Sequence, residues 1–109
     1  MDLALRALLQ RQHRDGLWRD FRTLAGEGAE WPTGYVASCL APIEGTAEAL
    51  RRARAKLVDG QLQDGGWSYN ESVPADVDST AFVLLGLGDR PEYGATRRRG
   101  AMYLSLIHI

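Results

Sequence analysis

The sequence predicts an all-α fold with about two repeats of roughly 49 residues and the start of a third. Apolar residues recur at helical spacing, and we expect about four to five helices with no β-sheet beyond a turn. The chain also matches itself. Gln12–Trp18 reads Gln-His-Arg-Asp-Gly-Leu-Trp, and Gln61–Trp67 reads Gln-Leu-Gln-Asp-Gly-Gly-Trp, 49 residues later. Two copies of so specific a string indicate a repeated helix–turn–loop–helix unit.

The first repeat is predicted to hold two helices. The first helix spans about residues 3–12, where Leu5 and Leu9 share a face with other leucines. It ends before the Asp-Gly turn that leads to the first Trp. The second helix begins near Pro32, which suits a first helical turn, and ends before Pro42.

The second repeat follows the same plan. A third helix opens at Thr46 and closes at Gly60, which are typical start and end residues. A fourth helix is predicted over about 78–87, after the second Trp turn, and a last helix begins near Glu92.

These segments define the predicted domain, a single array over residues 1–103. We place its repeats at about 1–45 and 46–91, with a third starting at about 92. The last residues, 104–109, resemble translated sequencing-adapter sequence, which would make them a non-native tail. An unfinished repeat cannot bury its apolar face, so we expect exposed apolar surface on the last helices.

Composition narrows the function classes. A net charge of −1 gives no reason to expect a nucleic-acid partner, and the basic clusters at 51–54 and 97–99 are interpreted as solvated helix faces. Cys39 is the only cysteine, which excludes an intrachain disulfide, and its apolar neighbours predict a buried, inert thiol. No signal peptide or membrane-spanning run is present, so we expect a soluble, cytoplasmic protein.

The repeated string has a known counterpart. Its helix and turn residues, seen in the two Gln-x-x-Asp-Gly-x-Trp copies, resemble the QW repeat of squalene-hopene and oxidosqualene cyclases in the terpene cyclase/mutase superfamily. The family pattern also has an aromatic residue in the helix, five residues before the Gln. This chain has Ala7 and Lys56 at that position in its two copies, whereas the third copy has the aromatic Tyr103. The resemblance covers nearly the whole chain and implies a fragment of an (α/α) toroid, in which Gln and Trp have a structural role.

The resemblance extends to the chemistry. Asp76-Val77-Asp78-Ser79-Thr80-Ala81 is similar to the Asp-x-Asp-Asp-Thr-Ala motif of class II cyclases. The match implies that Asp78 protonates an alkene or epoxide and that Asp76 is the neighbouring carboxyl. Ser79 replaces the third acid, which oxidosqualene cyclases also lack. Two close carboxyls at a poorly hydrated site would keep one protonated at neutral pH.

Each of these residues also has a structural interpretation. An Asp at a helix start stabilises the helix as a cap whatever the protein does, and this reading stays open for both Asp76 and Asp78. We interpret Trp31, Tyr35 and Tyr69 as substrate-binding residues whose ring faces could stabilise a carbocation; core packing is their alternative. Core packing is the favoured interpretation for Phe82.

Three functional classes follow. The first is a class II terpene cyclase-like enzyme that cyclises a polyprenyl or other apolar small molecule, with peripheral membrane contact of the full-length protein. The second is a non-catalytic toroid module for binding or scaffolding. The third, a protein prenyltransferase β-subunit, is set aside because Cys39 and His13 lack metal-ligand spacing. We expect no metal and no cofactor.

Overall fold

The computed structural model describes residues 2–20, 22–24 and 26–107. This part of the chain is mostly helical, as predicted. It forms five α-helices: α1 (Leu3–Gln10), α2 (Glu30–Leu40), α3 (Ala47–Asp59), α4 (Val77–Leu87) and α5 (Gly94–Leu106). A 3-10 turn, Pro91–Tyr93, leads into α5. The predicted tail is helical up to Leu106, and its last two residues, His108 and Ile109, lie outside the described residues.

The loop after the second Trp contains a short antiparallel ladder that the sequence did not predict. Strand β1 (Trp67–Ser68) pairs with β2 (Ala75–Asp76), with Trp67 opposite Asp76. Two residues per strand are too few to be stable alone. The ladder is supported because the Trp67 backbone N–H also donates to Thr80 Oγ1 (2.9 Å), at the start of α4. It places Asp76 directly before that helix.

The two tryptophan turns are built alike. The Trp18 indole Nε1–H donates to the carbonyl of Leu8 (2.9 Å), and the Trp67 indole donates to the carbonyl of Leu57 (2.7 Å). Their side chains are 4% and 0% exposed. The predicted equivalence of the two indoles is therefore present in their hydrogen bonds, each of which links a turn to the helix before it.

The glutamines link each turn to the helix that follows it. Gln61 Nε2 donates to the carbonyl of Gly65 in its own turn and to that of Thr96 in α5, both at 2.9 Å. Gln12 does the same in the first turn, where its second acceptor is Ala49 of α3. Each turn is thus completed by a helix from the next unit.

The basic clusters are solvated faces only in part. The interpretation is wrong for Arg54, which is buried, whereas Arg52 and Arg99 reach solvent and also bind a turn. Arg52 Nη1 donates to Gln12 Oε1 (3.2 Å), and Arg99 Nη1 donates to Gln61 Oε1 (2.9 Å). Both also bind backbone carbonyls of the same turns. Arg54 is 8% exposed, and its Nε donates to the carbonyl of Gly86. Guanidinium groups suit carbonyls that a turn or a helix end leaves unpaired.

Helices α2 and α4 make the most extensive helix–helix contact. Their backbones approach closely at Gly34 and Gly86, where a Cβ added to Gly86 would lie 2.6 Å from Gly34 Cα. Small residues at this crossing let the two helices run side by side. Near the start of α2, Trp31 lies against Phe82 of α4, so the two helices meet close to the point where α2 begins.

Apolar surface is exposed on the last two helices, which confirms the expectation. Leu85 is 62% exposed, Met102 59% and Leu106 57%. Cys39, in contrast, is exposed, so the predicted buried thiol is wrong. The buried face of α2 contains Ala37 and Leu40, and Cys39 lies on another side of the helix. Within the described residues, every helix is too short or too polar to cross a bilayer.

Candidate functional site

A cleft of about 690 Å³ opens where α2 and α4 begin. It collects most of the site residues that the sequence predicted. Its lining consists of Asp20, Thr23, Trp31, Tyr69, Asp76, Asp78, Ser79 and Phe82. Three carboxyl groups and three aromatic rings therefore face one space.

Asp76 is the N-cap of α4. Its Oδ1 accepts a hydrogen bond from the Ser79 backbone N–H (2.7 Å), and its Oδ2 accepts one from Ser79 Oγ (2.9 Å). Ser79, which replaces the third acid of the motif, therefore acts as a donor to Asp76. The capping interpretation holds for Asp76, and both of its oxygens are engaged.

Asp78 is in a different position. It is the second residue of α4, its side chain is exposed, and among the described residues its carboxyl has no hydrogen-bond partner. Since Asp76 is the N-cap, Asp78 is not the capping residue; it is the acid in the first turn, where a negative charge suits the helix dipole. The described residues do not bury it, so they do not provide the poorly hydrated surroundings expected for the acid.

The aromatic side of the cleft centres on Phe82. Its ring lies 5.5 Å from the Trp31 ring, tilted by 52°. Tyr35 meets Phe82 edge-on at 5.9 Å, but it is 52% exposed and lies outside the cleft lining. The structure thus brings Trp31 and Tyr69 to the cleft and leaves Tyr35 outside it. Phe82 also lines the cleft and is not a buried core residue.

Asp20 is a cleft residue that the sequence reasoning missed. Its Oδ2 accepts from the Trp31 indole Nε1–H (3.1 Å) and from the Tyr69 hydroxyl (3.0 Å), and its Oδ1 accepts from the Gly28 N–H (2.6 Å). A signal was present in the repeat. Asp20 follows Trp18 by two residues, as Tyr69 follows Trp67, so the two are equivalent positions.

A second pocket of about 460 Å³ has a mainly polar lining and lies between the loop that follows the first turn and residues 70–72, with Lys56 contributed by α3. It is lined in part by Glu30, the half-buried first residue of α2. Burial raises the pKa of the Glu30 carboxyl above its ordinary value. The nearby charges of Asp15 and Glu71 act in the same direction, and those of Arg19 and Lys56 oppose it.

Glu30→Gln is expected to stabilise the fold at neutral pH. The raised pKa means that the folded state binds the proton more tightly than the unfolded state. Stability from this group is therefore full below the unfolded pKa and is lost as pH rises through the folded pKa. Urea midpoints at pH 7 and pH 4 check this, and the advantage of Gln should shrink at the lower pH. A lower midpoint for the variant at pH 7 would contradict it.

No family model matches the chain. It is 33% identical over 110 residues to drimenyl diphosphate synthase of Streptomyces showdoensis, a match that covers 95% of this chain and 21% of that protein. A crystal structure of a protein from Actinoplanes aligns with a TM-score of 0.82 and 36% identity, over 93% of this chain and 31% of that one.

Structures of the type II terpene cyclase MstE from Scytonema align as well. The apo form has a TM-score of 0.76 and 30% identity, over 94% of this chain and 32% of MstE. Variants of MstE have been solved with the substrate geranylgeranyl dihydroxybenzoate and with the product merosterolic acid A. The chain spans about a fifth of the curated relative's length and about a third of the solved chains. Similar in sequence and in helical structure to one segment of these longer proteins, the chain is type II terpene cyclase-like.

Proposed function

We propose that this chain supplies the general acid and part of the cavity wall of a type II terpene cyclase acting on a polyprenyl substrate. The observation behind the proposal is the difference among the three carboxyls that line the cleft. Asp20 and Asp76 each accept several hydrogen bonds, whereas Asp78 accepts none from the described residues. Asp78 is therefore the carboxyl of the three whose oxygens are not held by hydrogen bonds to the described residues, and we assign it the role of general acid.

The proposed first step is a proton transfer. The Asp78 carboxyl gives its proton to a terminal alkene, the π pair forms the new C–H bond, and Asp78 is left as a carboxylate. The resulting carbocation is attacked by the next alkene of the same chain, which forms a ring C–C bond. Loss of a proton from carbon ends the sequence, so the net reaction is an isomerisation that needs no redox partner.

The aromatic rings suit the cationic part of this reaction. An aromatic face attracts a cation within about 6 Å of its centre, and the attraction is stronger where water is excluded. Trp31, Tyr69 and Phe82 all line the cleft that contains Asp78. The same rings provide apolar surface for a hydrocarbon chain. MstE binds a geranylgeranyl compound, which supports a polyprenyl substrate class for this chain.

The proposal extends to the architecture. We infer that the two units, at about 1–45 and 46–91, are QW-type repeats of an (α/α) toroid, and that further helices of the toroid enclose the cleft. Enclosure would give Asp78 the dry surroundings that favour its protonated form. The matched hydrogen bonds of the Trp18 and Trp67 turns support the repeat.

An isotope experiment tests the proposed function. The full-length protein that contains this chain is incubated in D₂O with polyprenyl substrates of several lengths, and products are analysed by mass spectrometry. The acid exchanges with solvent, so a cyclic product should carry one deuterium. A cyclic product without deuterium would exclude initiation by an exchangeable acid. Recovery of only linear substrate at every length would favour the binding or scaffold module.

A further inference from the structure

Asp20 forms a junction between two loops that are distant in sequence. One carboxylate oxygen accepts from the Trp31 indole (3.1 Å) and from the Tyr69 hydroxyl (3.0 Å). The other accepts from the Gly28 backbone N–H (2.6 Å), which holds the loop before α2. Trp31 and Tyr69 come from different units, so this single carboxylate ties the cleft walls of both units together.

The surroundings of Gly28 show how closely this junction is packed. A Cβ added to Gly28 would lie 2.8 Å from Tyr69 Cε1 and 3.0 Å from Trp31 Nε1. Both rings therefore lie directly against the backbone that Asp20 holds. Their position is determined on one side by this backbone and on the other by the hydrogen bonds to Asp20.

We propose that Asp20 is a positioning residue, which holds the Trp31 and Tyr69 rings where they direct the carbocation. This inference rests on the proposed function. Asp20 is not proposed as a second acid, because its oxygens already accept three hydrogen bonds from neighbouring groups. Asp20 affects the reaction indirectly, by fixing the positions of the Trp31 and Tyr69 rings. Small displacements of positioning groups have large effects on rate and outcome.

The first test measures the ring directly. Trp31 is part-exposed, whereas Trp18 and Trp67 are buried, so acrylamide quenching in this chain reports mainly on Trp31. Its share is obtained from the difference between the full-length protein and its Trp31→Phe variant. Asp20→Asn keeps an oxygen that can accept from the Gly28 N–H, but it places an amide nitrogen, which accepts no hydrogen bond, beside the Trp31 and Tyr69 rings. We expect it to raise the quenching constant of Trp31 about twofold, because the indole loses its acceptor.

The second test measures the reaction. Asp20→Asn should lower kcat with little change in KM, and should raise the share of incompletely cyclised products about tenfold, as misplaced groups do. Tyr69→Phe removes the phenol hydroxyl, which donates to Asp20 and more weakly to the Gly26 carbonyl, and it leaves the Trp31 bond in place. It should have a smaller effect of the same kind, and it also serves as the test if Asp20→Asn fails to fold. Asp59→Asn, an exposed change at the end of α3, is the matched control and should alter neither readout.

The outcomes separate this inference from the proposed function. Unchanged Trp31 quenching in Asp20→Asn would overturn the positioning role whatever the activity. Increased quenching with an unchanged product spectrum would also overturn it, since Asp20 would then be only structural. If the unsubstituted protein forms no cyclic product, the proposed function is wrong, and so is the expected effect of Asp20→Asn on kcat and on the products. The quenching result would then still decide whether Asp20 holds the ring.

Discussion

Asp78→Asn is expected to abolish cyclisation by the full-length protein and to leave the melting temperature nearly unchanged. An amide cannot supply the proton that starts the reaction, and loss of a general acid typically costs about 10²–10⁴-fold in rate. Asp78 has no hydrogen bond to the described residues, and the cap of α4 belongs to Asp76. The substitution should therefore remove chemistry without removing a structural contact. Product formation tests the expected loss of cyclisation, and thermal unfolding of the same preparation tests the unchanged melting temperature.

Asp76→Ala is the matched comparison. It removes the N-cap and should lower the free energy of unfolding by about 0.5–2 kcal/mol, as loss of a capping Asp does. The two aspartates are thus expected to differ, with Asp78 sensitive in activity and Asp76 sensitive in stability. Full activity of Asp78→Asn on a substrate that the unsubstituted protein cyclises would end the catalytic interpretation.

Trp67→Ala is expected to have the largest effect on stability. The side chain is 0% exposed and belongs to the core cluster with Leu57, Val83 and Leu87. Truncation of a buried Trp costs about 3–5 kcal/mol, because apolar contact is lost and a cavity remains. Here the indole hydrogen bond to the Leu57 carbonyl is lost as well. Since small domains are stable by only about 5–15 kcal/mol, this loss is a large fraction of the free energy of unfolding.

Urea unfolding of the 109-residue chain, followed by far-ultraviolet circular dichroism, measures this loss. Leu85→Ala is the control, because Leu85 lies on the same helix as Val83 but is 62% exposed. It should change the free energy of unfolding by no more than about 0.5 kcal/mol, as most surface changes do. Equal shifts for the two variants would show that Trp67 is not a core residue of the folded chain.

Local patterns predicted the features that depend on neighbouring residues. Gly16 and Gly65 follow an Asp and adopt positive φ, which is where a turn favours glycine. The caps and ends of the helices also depend on near neighbours, so the five helices lie close to their predicted bounds. Thr46 is an instructive exception. It precedes α3 as predicted, but its hydroxyl donates to the carbonyls of Leu40 and Ile43 and not to the helix it opens.

The features that sequence reasoning missed depend on contacts between distant residues. Arg99 binds a turn whose Gln lies 38 residues earlier, and Asp20 binds a Tyr 49 residues later. Arg98 and Arg99 are neighbours and both are exposed, so nothing in the local sequence shows that Arg99 is the one that binds the turn. The sequence also could not separate Asp76, which caps α4, from Asp78, whose carboxyl has no hydrogen-bond partner in the described part of the chain, since both residues suit a helix start.

The glutamine and arginine contacts have a consequence for how the protein is made. The first turn is completed only when Ala49 and Arg52 of α3 are present, and the second only when Thr96 and Arg99 of α5 are present. On the ribosome, where the chain emerges from its N-terminus, each turn must wait for the helix synthesised after it. We therefore expect each turn to gain its full set of hydrogen bonds only after the helix that follows it in the sequence has been synthesised.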